Sequence, residues 1–100
     1  MDHAVVLDVH MEAVPGRELE LEKALLALVA PTREEPGCLT YLLHRNQEHS
    51  GRFLFYEKFR DQAALEAHLA TSHFQKFAAL RAAGNDPVAV VTVTKWNVVE

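Results

Sequence analysis

The sequence predicts a single α+β domain of β-α-β-β-α-β order, and three observations predict it. Four stretches, at 3–13, 38–46, 52–59 and 88–99, alternate or concentrate β-prone apolar residues at the period of a strand. Two stretches between them carry apolar residues at helical spacing instead. The chain has 100 residues, room for one core and too few for two that would persist separately, so residues 1–100 are expected to form one domain.

The first strand places Val5, Leu7, Val9 and Met11 on one face and Val6, Asp8, His10 and Glu12 on the other. Pro15-Gly16 ends it in a turn. From Arg17 the period becomes helical: Leu21, Ala24, Leu25, Leu28, Val29 and Thr32 form one stripe, with Glu18, Glu20, Glu22 and Lys23 outward. The early glutamates suit the positive end of the helix dipole. Pro31 is expected to kink or end this helix, and Pro36-Gly37 to close the connection. The strands at 38–46 and 52–59 are separated by the polar run Asn46–Gly51, a hairpin loop.

Asp61 caps a second helix on which Leu65, His68 and Leu69 share a face while Phe74 and Phe77 project elsewhere. The stripe breaks at Thr71-Ser72, and Ser72-His73-Phe74-Gln75 fits a capping box that starts a new segment. Gly84 and Pro87 end it before the last strand. This order is that of a ferredoxin-like domain, with the helices on one face of the sheet. On the last strand both Val88, Val90, Thr92, Thr94, Trp96 and the alternate set Ala89, Val91, Val93, Lys95, Asn97 carry apolar residues. A sheet apolar on both sides needs a second cover, and the same face of another copy, in an isologous homodimer, supplies the simplest one.

Composition narrows the function. With 49% hydrophobic and 24% charged residues the chain has the balance of a globular protein, not a disordered one. A net charge of −4 without a Lys/Arg cluster argues against nucleic acid as a partner. No apolar run approaches the roughly 20 residues of a membrane span. The N-terminus has no basic region ahead of its apolar stretch, and one cysteine, Cys38, forms no internal disulfide; a reduced, cytoplasmic setting is expected.

The chain resembles the antibiotic biosynthesis monooxygenase family, and within it the quinol monooxygenase branch. The resemblance runs through Pro15-Gly16 and its acidic helix, Pro31–Leu39, Tyr41 with His44-Arg45, Phe53–Asp61, Ala64–Leu69 and His73-Phe74. It implies a dimeric α/β barrel with a pocket between sheet and helices. It also implies oxidation of electron-rich phenols, quinols or anthrones by molecular oxygen without flavin, haem or metal. The same fold carries isomerases and haem-degrading proteins; alignment on Phe74 puts Ala78 where the latter hold their iron-ligating histidine.

His68 reads as a core histidine holding a hydrogen bond or as a pocket base, and the family's histidine at this position favours the base. His73, in the first turn of the second segment, reads as a neutral proton acceptor or as part of the cap. Tyr41, Tyr56, Glu57, Phe74 and Trp96 are the expected substrate-pocket residues. A metal site is not expected, since His68 and His73 are five apart across a break and no Asp or Glu completes a tight constellation nearby. The expectation is a cofactor-independent monooxygenase or oxidase of a quinol-like aromatic. The alternatives are an isomerase or other acid–base enzyme on a small carbonyl compound, with Arg45, Lys58 and Arg60 as phosphate donors, and a non-catalytic dimeric ligand-binding module.

Overall fold

The computed structural model describes residues 3–100 and contains every predicted element. These are β1 (Val5–Ala13), α1 (Glu18–Arg33), β2 (Cys38–Arg45), β3 (Arg52–Phe59), α2 (Gln62–Leu69), α3 (Ser72–Ala82) and β4 (Val88–Asn97). The strands form one sheet in the order β2-β3-β1-β4. Every neighbouring pair is antiparallel, so β1 and β2 run parallel with β3 inserted between them, the split βαβ arrangement. No helix among the described residues is long and apolar enough to cross a membrane.

Strand periodicity divides the sheet into two faces. Val5, Leu7 and Val9 of β1 and Phe53, Phe55 and Phe59 of β3 point to the helices and are buried. From α1, Leu21, Leu25 and Leu28 meet them, with Leu21 and Leu25 wholly inaccessible. Truncating either to alanine costs roughly 2–5 kcal/mol. α1 packs over β2 and against α3, and α2 lies over β3, so the helix-side face of β4 is left open. There Val91 and Val93 remain 38% and 54% exposed.

Three local expectations shift. Pro31 does not end α1: it occupies the last turn, where its helical φ fits, and the chain closes two residues later, with Glu34 N–H donating to Pro31 O (3.3 Å) and Glu35 N–H to Thr32 O (3.0 Å). The cap of α3 is Thr71 and not Ser72, one residue before the predicted box; Thr71 Oγ1 accepts from Phe74 N–H (3.3 Å) while donating to His68 O (2.7 Å). Gln75, the box's expected partner, donates instead to Leu69 O (2.7 Å). β4 stops at Asn97, two residues early. The helix break itself falls where the stripe predicts it.

Candidate active site

Two close approaches bring the Pro36-Gly37 connection down onto α2. Arg60 N–H donates to Gly37 O (2.8 Å), and a Cβ at Gly37 would collide with Ala64 of α2. Asp61 fixes that end of the helix by accepting from Ala64 N–H (2.8 Å). The result sets Glu35, just ahead of the turn, against the far end of α2. The break at Thr71 then re-aims the chain so that α3 presents His73 to the same carboxylate.

His68 Nδ1 lies 2.9 Å from Glu35 Oε2, and His73 Nε2 lies 2.6 Å from the same oxygen. A carboxylate can only accept, so both imidazoles donate to it. Glu35 thereby holds neutral His68 in the Nδ1–H tautomer, with the Nε2 lone pair free for the cavity that the ring lines. The two readings of His68 prove compatible: the residue is 1% exposed and hydrogen-bonded, and it faces a cavity. His73, its side chain 20% exposed, stands behind it on the route to solvent.

That cavity has a volume of about 380 Å³, within the range of roughly 300–1,000 Å³ usual for small-ligand sites. Its floor is the helix side of the sheet, with Leu7, Val9, Met11, Phe55, Val91 and Val93; its roof includes Leu65, Leu69, Phe74 and Phe77. Ala78 is a further wall residue. Tyr41 stacks on Phe55 with ring centroids 4.5 Å apart, and His68 contacts Tyr41, Phe59 and Phe74. The polar groups are few: Tyr41, Glu57, Gln62, His68, Arg81 and Lys95. Burial, reinforced by the charge of Glu35, pushes the Glu57 carboxyl up to about 7. Burial and then the charge of Glu57 raise the Tyr41 phenol far above its usual range, so it stays an O–H donor.

Of the predicted pocket residues, Tyr41, Glu57, Phe74 and His68 line this cavity. Tyr56 and Trp96 do not. Tyr56 pairs with Asp8 and Leu42, and Trp96 with Val6, on the opposite face of the sheet, where they are 39% and 56% exposed. Trp96 Nε1–H donates to Asp8 Oδ2 (2.7 Å). The parity of β3 and β4 turns both away from the helices, a consequence of strand alternation that residue type alone does not reveal.

The expectation that no carboxylate completes a set with the two histidines is overturned by Glu35. Its signal was its place immediately before Pro36-Gly37, the turn that must return the chain beside α2. The donor atoms of Glu35, His68 and His73 lie within 4.8 Å of one another, close enough to share a divalent ion. Such an ion would have to displace both bridging protons. Arg81 and Lys95 were also missed as cavity residues; Arg81 is held by Asp86 (3.2 Å) and Lys95 by Gln62 (3.3 Å).

Residues 4–80 match the family described as antibiotic biosynthesis monooxygenase. YcnE of Bacillus subtilis is 32% identical over 75 residues, covering 75% of this chain and 79% of that protein. The Synechocystis protein sll1783 is 30% identical over 76% of this chain, which spans only 52% of that longer relative. Among solved structures, PA3566 from Pseudomonas aeruginosa superposes with a TM-score of 0.91 at 37% identity, over 100% of this chain and 98% of the other. A structure described as an antibiotic biosynthesis monooxygenase gives 0.84 at 31% identity over 96% and 99%. The matched segment contains Glu35, Tyr41, Glu57, His68 and His73 together, so the cluster and most of the cavity wall fall inside it, while Arg81, Val91, Val93 and Lys95 lie beyond it. With sequence and fold in agreement across that segment, the chain belongs to the antibiotic biosynthesis monooxygenase family.

Proposed function

We propose that this protein oxidises a quinol-like aromatic with molecular oxygen, using no flavin, haem or metal. The observation that carries this reading is a histidine fixed in one tautomer by a carboxylate, with its basic nitrogen left for an apolar, aromatic-walled cavity. An electron-rich ring needs little else. Loss of a hydroxyl proton to His68 Nε2 leaves an electron-rich oxyanion that oxygen can oxidise, and the ring supplies every electron. Two balanced outcomes are available: quinol plus oxygen gives quinone plus hydrogen peroxide, or hydroxyquinone plus water. Glu35 stabilises the imidazolium formed at His68, and His73 offers the next site toward solvent.

Oxygen uptake with menadiol above the autoxidation rate tests the reading; equal uptake with His68→Ala or heat-denatured protein sinks it. The isomerase reading loses the three phosphate donors the sequence offered, because Arg45 pairs with Glu22, Arg60 with Asp61, and neither they nor Lys58 line the cavity, which leaves Arg81 and Lys95 as its only cavity cations among the described residues. A ligand-binding module would give a thermal shift with aromatic ligands and no turnover.

The working unit in this reading is a homodimer. Leu42, Tyr56, Val90 and Trp96 are exposed on the sheet face away from the helices, and a second copy of that face is their simplest cover. Sedimentation as a monomer at micromolar concentration overturns it.

A further inference from the structure

Tyr41, Glu57 and His68 are the buried ionisable side chains among the described residues, and the reading above uses only His68. Glu57 is 5% exposed and has no hydrogen-bond partner among the described side chains, yet it lines the cavity. Buried carboxyls are normally paired, so an unpaired one facing a cavity points to a ligand that completes it.

Its surroundings say what kind. Across the sheet, Glu57 pairs with Tyr41 on β2 and with Leu7 on β1, and Leu7 pairs with Lys95 on β4. One row of the floor therefore runs Tyr41, Glu57, Leu7, Lys95, with Lys95 about 10 Å from Glu57 by two interstrand spacings. The adjacent row toward Met11 is Leu43, Phe55, Val9, Val93, without a polar side-chain atom. On the floor of the cavity, the row of Glu57 is thus polar while its neighbour is apolar. At that level stand a phenol that stays protonated, a carboxyl and an ammonium group.

We propose that Glu57 accepts the hydroxyl proton of an aromatic alcohol lying flat on the Phe55 row, with Tyr41 donating a hydrogen bond to the same oxygen. This deepens the reading of the cavity as an aromatic site and rests on it. In the transfer the substrate O–H bond breaks, its electron pair stays on the oxygen, and the proton joins a Glu57 carboxylate oxygen. Net charge in the cavity is unchanged, because one buried anion replaces another. Tyr41 O–H and the Lys95 ammonium group face the new oxyanion. His68 remains for the second hydroxyl, which makes a diol with oxygens at separated ring positions the matching substrate. The carboxyl pushed up to about 7 supports the role, being nearly balanced between its two forms at neutral pH. The charged or titratable groups around it are Tyr41 and Cys38 from β2, Lys95 from β4, His68 from α2, Arg81 from α3 and Glu35 from the connection before β2.

A binding experiment that needs no turnover tests this. Affinities of 1-naphthol and 1-methoxynaphthalene are measured by calorimetry at pH 6 and pH 8 for the intact protein, Glu57→Gln and Glu57→Leu. The intact protein is expected to prefer the naphthol by roughly tenfold or more, as a charge-assisted hydrogen bond provides, and more at pH 8 than at pH 6. Glu57→Gln should keep a weaker preference that no longer changes with pH, while Glu57→Leu should lose it. Equal affinities in the intact protein, or a preference that survives in Glu57→Leu, overturn the proposal. If neither ligand binds, the aromatic cavity falls and this role with it. If the preference behaves as expected while menadiol is not consumed, the oxidation reading alone fails.

Discussion

The two faces of one sheet carry the same kinds of residue and do opposite things. On the helix side, Tyr41 is 3% exposed, stacked on Phe55 and next to an unpaired buried carboxyl. On the other side, Tyr56 and Trp96 are broad, half-exposed surfaces, and Trp96 spends its polar atom on Asp8. Tyr56 and Glu57 are consecutive, yet one lies outside and the other in the cavity. Aromatic content does not locate a site; strand parity and the placement of helices do.

If that contrast is right, substitutions on the two faces move different quantities. The largest effect is expected from His68→Ala, which should lower turnover with menadiol by roughly 10²–10⁴-fold per folded molecule. Because His68 is also buried against Glu35, its melting point should fall as well, and circular dichroism must be used to count folded protein. Normal turnover per folded molecule would make His68 purely structural.

Next comes the pH dependence of stability. The Glu57 carboxyl is raised from 4.5 to about 7 in the fold, so between those values the native state holds a proton that the unfolded chain has lost. Stability should therefore fall as pH rises from about 4.5 to 7, then level off. The shift corresponds to about 3 kcal/mol at about 1.4 kcal/mol per unit. Urea unfolding across this range should show the slope in the intact protein and lose it in Glu57→Gln; parallel profiles would refute the assignment.

Smaller changes belong to the outer face. Trp96→Ala removes a hydrogen bond to Asp8, worth roughly 1.5–3 kcal/mol for a charged acceptor, along with apolar surface. It should shift sedimentation toward monomer and leave naphthol affinity of the folded protein unchanged. A changed affinity with unchanged sedimentation would put Trp96 back at the ligand. The smallest effect is expected for Arg45→Ala, whose exposed pair with Glu22 contributes about 0–1 kcal/mol. Loss of activity there would revive the phosphate reading.

Much of the architecture was legible because it rests on short-range pattern. Alternation at Val5, Leu7 and Val9, the stripe Leu21, Leu25, Leu28, and the phase break before Phe74 each mark an element without knowledge of its neighbours. The site was legible only where pattern and position coincide, as at His68, which shares a face with Leu65. Glu35 was not, because its partners lie 33 and 38 residues away and only the closed Gly37–Ala64 contact brings them near. Trp96 was misplaced because both faces of β4 are apolar, so composition cannot tell which one meets the helices.

The Glu35 cluster has a consequence for how damage to this protein should be recognised. Its members come from a connection and from two separate helices, so no local segment can assemble it. A partly denatured state that keeps its helices but loosens their packing, as many proteins do in acid, would retain native-like far-ultraviolet dichroism. It would nevertheless have no anchored histidine. Under the proposed function, loss of activity should thus precede loss of secondary structure on acidification, which makes activity the more sensitive gauge of tertiary order.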